Sequence, residues 1–204
     1  MDFHSYAVRD GHGLPHNPLK AIIAPRPIGW MSTLSATGIA NLAPYSFFNI
    51  INDVPPLVMF ASTGHKDSVS NIEATGAFVF NLATRPLAEK MNITSAMFPP
   101  NVDEFEAAGL TKAPSLLVAP PRVAESPAAL ECRAVEVRQL RDMEGAAVDG
   151  WLTIGQIVAV HIDRACLVDG IYRTERAHPI LRAGYEADYW ELTPTGHFTM
   201  RRPQ

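Results

Sequence analysis

Short apolar runs separated by Pro and Gly set the pattern of this chain: IGWMSTLS (28–35), LVMFAS (57–62) and AFVFNLA (77–83). Runs of this length between turn formers read as strands of a β-rich domain. ATG (36–38) is a tight turn, so IANLAPYSFF (39–48) returns as the partner of the first strand. ALECRAVEVRQL (129–140) and WLTIGQIVAVHID (151–163) are longer and bring the expected strands to six. In the fifth, Leu130, Cys132 and Ala134 alternate with charge, and from Val135 the alternation changes phase. A slip of one residue flips the faces, so a bulge or strong bend is expected near Ala134, the device by which sheets curl into barrels. The sixth strand puts Leu152, Ile154, Gln156, Val158, Val160 and Ile162 on one face.

Helical patterns fill the gaps. KDSVSNIEATG (66–76) has Asp67 as N-cap and Gly76 as stop. RPLAEKMNITSAMF (85–98) starts with Pro86, and VDEFEAAGL (102–110) closes on Gly109. APSLLVAPPRVAESP (113–127) reads as an ordered crossing loop. Strands and helices do not alternate regularly, which argues against a doubly wound sheet. No repeat or linker divides the chain, so residues 1–204 read as one domain.

Composition narrows the function. With 204 residues, 47% of them hydrophobic, the chain is long enough for one sizeable core. A net charge of −4 with mixed signs does not read as a nucleic-acid surface. The apolar runs are too short to span a bilayer, and MDFHSYAVRDGHG lacks a signal-peptide core; a cytoplasmic location is expected. Cys132 and Cys166 are too few for a disulfide framework or a zinc site. His12 and His16 have metal-ligand spacing, but Gly13 and Pro15 exclude a helix there, and no metal site is expected. His161 reads as a satisfied or half-exposed strand residue.

Phosphate loops, dinucleotide fingerprints and nucleophile elbows are missing. HKDSVSN (65–71) is the more telling stretch: Lys66 precedes a helix whose first turn offers free N–H groups and the hydroxyls of Ser68 and Ser70. That combination suits a phosphate, although a plain capped surface helix reads the same way. NLAPYSFFN (41–49) interleaves polar groups with large aromatics, which neither a loop nor a core strand explains.

APRPIGWMSTLSATGIANLAPYSFFN (24–49), DVPPLVMF (53–60), KDSVSNI (66–72), FVFNLA (78–83), MNITSAMFPPNVDEFEAAGL (91–110) and ESPAALECR (125–133) occur in that order. Together they resemble the flavin reductase-like family of FMN-binding split-barrel proteins, in the subgroup of flavoredoxins, ferric reductases and flavin reductases. The resemblance runs from about Ala24 to Tyr185. It implies a mainly β fold, a six-stranded antiparallel Greek-key split barrel with short helical excursions, that dimerises around FMN.

By this resemblance NLAPYSFFN, Tyr45 included, lines the isoalloxazine. Asn41, Ser46 and Asn49 supply polar groups to its rim, with backbone around Ala43 and Pro44. Ser32 and Thr33 on the hairpin partner also face the cofactor. Ser62, Lys66, Asp67, Ser68 and Asn71 match the phosphate and ribityl region, Ser68 standing where the family often has Thr. Arg182, Gly184 and Tyr185 match a C-terminal element near the cofactor or substrate, with Ala183 departing from the usual residue. One of Phe47 and Phe48, at least, is expected in the core. No catalytic acid or base is required, because the flavin carries the chemistry. The implied activity is electron transfer from NADH or NADPH through FMN to a flavin, metal or partner-protein acceptor. An FMN-binding electron carrier without nucleotide activity, or a flavin-dependent oxygenase acting on a small organic substrate, remain alternatives.

Overall fold

A computed structural model describes residues 1–203. Its main sheet has seven strands: β1 (Gly29–Leu34), β2 (Ala40–Tyr45), β3 (Phe48–Asn52), β4 (Leu57–Thr63), β5 (Ala77–Leu82), β6 (Ala128–Arg141) and β7 (Ala147–Ile162). Their order is β2-β1-β5-β6-β7-β4-β3, and every pairing is antiparallel. The two end strands, β2 and β3, are consecutive in the chain, so Ser46–Phe47 carries the backbone from one edge of the sheet to the other. The sheet must curl for so short a link to span it. Phe47 C=O accepts from Ala61 N–H at 2.8 Å and ties the link to the far edge.

This link is why the strand expected over 39–48 is two strands, and why the count is seven rather than six. The bend expected near Ala134 is present. Ala134 pairs with Gly155 and Glu136 with Ile154, leaving Val135 as the extra residue, 61% exposed. A side chain on Gly155 would meet the Phe78 ring at 2.4 Å, so only glycine lets the strand lie that close to the core ring.

Inside the curl Met31, Tyr45, Phe60, Phe78, Phe80 and Cys132 pack with Ile72 of helix α1 (Asp67–Thr75). Phe48 stacks on Phe80 at 4.8 Å. Burial pushes the Cys132 thiol up to about 12, which leaves it a packing group. A second cluster lies outside β1, where Trp30 and Leu42 meet Met91 of α2 (Ala88–Ile93) and Phe105 of α3 (Glu104–Ala107). With core on both sides, β1 is buried along nearly its whole length, and strict alternation is lost. The apolar face of β7 is different: Thr153, Gly155 and Ile157 take the inner side, and Val160 (54%) and Ile162 remain exposed.

A small three-stranded sheet joins the chain ends, with Arg26–Pro27 paired to Ile180–Arg182 and that strand to Tyr189–Glu191. Among the described residues, no helix is long and apolar enough to cross a membrane.

Candidate functional site

The first cavity, about 300 Å³, lies along the free edge of β2. Asn41, Ala43, Pro44 and Tyr45 form one wall, Lys66, Asp67 and Ser68 a second, and the segment 94–100 with Glu104 closes it. Edge strands need blunting, and this one is blunted twice. Leu42 N–H points away from β1 and donates to Glu104 Oε2 at 3.0 Å. Two residues on, Pro44 has no N–H to offer.

Polar side chains behind this edge form one network. Ser68 Oγ donates to Asn41 Oδ1 at 2.8 Å, and Asn41 Nδ2 donates to Glu104 Oε1 at 2.9 Å. Thr33 Oγ1 also reaches Asn41 Oδ1, at 3.3 Å, and accepts from Asn71 Nδ2 at 3.1 Å. Burial raises the Glu104 pKa, although the bonds from Leu42 and Asn41 pull it down. Burial likewise raises that of Tyr45, whose hydroxyl lies by those of Ser68 and Ser62.

Helix α1 points its start at this cavity. Its N-cap residue, Lys66, gives no side-chain acceptor to the first turn, so the cap contact expected from Asp67 is missing and Asp67 is the first helical residue. Gly76 ends the helix in the left-handed conformation, as expected. Lys66 is exposed and makes no ion pair among the described residues.

The second cavity, about 730 Å³, lies at the link between β2 and β3. It brings Ser46 and Phe47 together with Arg182, Gly184 and Tyr185, and with Asn17, Leu19, Lys20, Ile23, Arg26 and Glu186. Residues expected in one site are therefore divided between two neighbouring cavities. Phe48 is the core member of the aromatic pair and Phe47 the exposed one.

Five expected positions line neither cavity. Ser32 is fully buried and its Oγ has no partner, because the covered outer face of β1 holds it away from either cavity. Thr33 and Asn71 are buried in the network behind Asn41. Ser62 is buried, its hydroxyl donating to Gly64 C=O at 2.9 Å. Asn49 lies on exposed β3, its Oδ1 accepting from Ile50 N–H at 2.9 Å, and lines neither cavity.

Other residues join the site without having been expected. Glu104 sits in the short helix α3, whose sequence gives no sign of a site. Lys20 and Arg26 lie before the first strand, where no periodicity marks them.

The model of the flavin reductase like domain matches residues 23–180. The chain belongs to this family, and its curled sheet is the family's split barrel. It is 37% identical over 169 residues to an uncharacterized protein of Aquifex aeolicus (strain VF5), covering 80% of this chain and 83% of the relative. Nitrilotriacetate monooxygenase component B from Bacillus cereus superposes with a TM-score of 0.83 at 28% identity, over 98% of this chain and 97% of that one. The 2-nitrobenzoate 2-nitroreductase NbaA of Pseudomonas fluorescens gives 0.79 at 28% identity, over 91% and 88%.

Proposed function

We propose that the protein is an FMN-dependent oxidoreductase that takes reducing equivalents from NADH or NADPH and passes them to a flavin, metal or partner-protein acceptor. The observation that carries this reading is Lys66, an unpaired cation at the uncapped start of α1, beside the Ser68 hydroxyl in a cavity along the β2 edge. The donor set fits a phosphate: a cation and first-turn N–H groups, the Ser68 hydroxyl being engaged with Asn41. Bound FMN supplies the hydride-accepting ring. The chain's residues supply the rest: Lys66 and the first-turn N–H groups of α1 hold the phosphate end, and the Ala43–Ser46 backbone gives the ring one wall. Asn41, clamped by Ser68, Thr33 and Glu104, keeps that wall rigid.

The reading takes 1–204 as one domain acting as a cytoplasmic homodimer. The apolar stripe of β7, with Leu152, Ile154, Val160 and Ile162 outside the core clusters, favours a second copy as its cover. Light scattering that finds only monomer at micromolar concentration removes the dimer from this reading.

The decisive experiment compares FMN with riboflavin. Charge-assisted hydrogen bonds contribute about 1.5–3 kcal/mol each, so Lys66→Ala is expected to weaken FMN by roughly tenfold or more and to leave riboflavin nearly unchanged. Equal losses for both reject the phosphate assignment. Anaerobic titration then separates reductase from carrier: NADH or NADPH is expected to bleach the oxidised-flavin absorbance, and bleaching by dithionite alone leaves an electron carrier or an oxygenase.

A further inference from the structure

The second cavity has a charge balance that flavin binding leaves unused. Three cations line it, Lys20, Arg26 and Arg182, against one carboxylate, that of Glu186. None of the three forms an ion pair among the described residues. Arg26 is only 8% exposed, yet its guanidinium meets only neutral carbonyls: Lys20 at 2.5 Å, Ile23 at 3.1 Å and Ala183 at 3.1 Å. Its Nε has no partner. Arg182 likewise donates to the carbonyls of Glu186 and Asp188 and lies 4.7 Å from the centre of the Tyr189 ring. A buried guanidinium without a counter-charge is unfavourable, and its usual partners are carboxylates and phosphates.

The walls between these charges are apolar and flat. Leu19, Ile23, Phe47 and Tyr185 supply them, and Lys20 Nζ stands 5.8 Å from the centre of the Phe47 ring. The cavity is also braced. A side chain on Gly184 would meet Ala21 Cβ at 2.4 Å and Cα at 2.6 Å, so the C-terminal segment lies directly on the one-turn helix Leu19–Ile22. The volume of about 730 Å³ falls within the range of small-molecule sites.

We propose that this cavity binds an organic anion, an oxyanion head on a flat apolar body, with Lys20 and Arg182 at the head and Arg26 as the fixed positive charge behind them. The role of this anion as a reactant rests on the flavin reading above; its binding does not. The head is the carboxylate of a flat organic acid, distinct from the nicotinamide dinucleotide that the flavin reading already invokes as donor.

Calorimetry on the flavin-free and the flavin-loaded protein tests this with benzoate, its neutral counterpart benzyl alcohol, and ADP-ribose. The expected result is that benzoate binds, more weakly as salt rises, and that Lys20→Met and Arg182→Met each weaken it about tenfold or more. Benzoate is expected to bind at least about tenfold tighter than benzyl alcohol; response of ADP-ribose alone leaves only the dinucleotide donor and overturns the proposal. Lys20 is exposed, so its substitution removes charge without opening the core, and melting temperatures taken alongside separate loss of fold from loss of binding. The proposal is overturned if benzoate does not bind, if benzyl alcohol binds as well as benzoate, or if both substitutions leave the benzoate affinity unchanged. Because the flavin-free arm stands alone, failure of FMN to prefer Lys66 sinks the flavin reading without deciding this one.

Discussion

The two cavities lie on consecutive residues of one strand and its exit, yet their polar groups are kept in opposite conditions. At Asn41–Tyr45 the buried charge is an acid, Glu104, and neutral donors from Asn41 and Leu42 satisfy both of its oxygens. At Ser46–Phe47 the buried charge is a base, Arg26, and neutral carbonyls satisfy only part of its fork. A completed network holds a backbone in place, whereas an incomplete one keeps attraction in reserve for something that arrives. The first cavity is thus built for rigidity along a wall, with Lys66 added at its mouth. The second is built around charge that no acid among the described residues pairs with.

If that division holds, removing charge from the two cavities has unequal effects on stability. Glu104→Ala leaves Asn41 Nδ2 and Leu42 N–H without their acceptor and is expected to cost about 1–3 kcal/mol. Lys20→Met is expected to stay within about 0.5 kcal/mol of the parent. Urea unfolding of the two variants compares them directly, and equal losses erase the contrast.

Acidity sharpens the same point by setting Glu104 against Glu131, the other fully engaged acid. Burial pushes the Glu131 pKa up, but Leu116 N–H, His161 and Leu117 N–H outweigh it and hold the carboxyl below its ordinary value of 4.5. For Glu104 burial wins, and the pKa lies above 4.5. A raised carboxyl contributes fully below its unfolded value and loses that contribution as pH rises through the folded one; a depressed carboxyl contributes above its unfolded value and loses it as pH falls through the folded one. The stability advantage of the parent over Glu104→Gln is therefore expected to shrink from about pH 4 toward pH 7, and the advantage over Glu131→Gln to shrink as pH falls below about 4. Unfolding midpoints across this range that move in the same direction for both variants contradict the assignment.

What could be read before the fold was known follows from how local each signal is. The phase slip at Val135 is a local event, and the bulge stands where it was expected. The helix at Asp67–Thr75 and its Gly76 stop are local as well. The break at Ser46–Phe47 is not, since nothing in the pattern of YSFF tells that Tyr45 ends one edge of a sheet and Phe48 begins the other. The first cavity was largely legible because 41–45 and 66–68 supply most of its polar groups. The second draws on 17–26, 46–47 and 182–186, which meet only through the small sheet joining the chain ends. The burial of Ser32 and Thr33 was not legible for a related reason: alternation tells which residues share a face, but both faces of β1 are covered.

Ser32 is also the place where the smallest effect tests the most about the first cavity. Its hydroxyl is fully buried between β2 and β5 and has no hydrogen-bond partner. Thr33, one residue on, points to the other face and bonds both Asn41 and Asn71. An unsatisfied buried hydroxyl carries a desolvation cost with no return, so replacing it with a methyl of nearly the same shape is expected to change stability by about zero to 1 kcal/mol, in the stabilising direction. The same Ser32→Ala change is expected to leave FMN affinity as it is, because no part of the residue reaches either cavity. Ser68→Ala provides the contrast: it removes one hydrogen bond to Asn41 and costs about 1 kcal/mol, together with FMN affinity, because the wall that Asn41 steadies loosens. Melting temperatures and FMN titrations of the two serine variants, run side by side, decide the matter. A fall in FMN affinity for Ser32→Ala as large as that for Ser68→Ala means that the outer face of β1 opens toward the ligand, and the separation of wall from support along this strand fails.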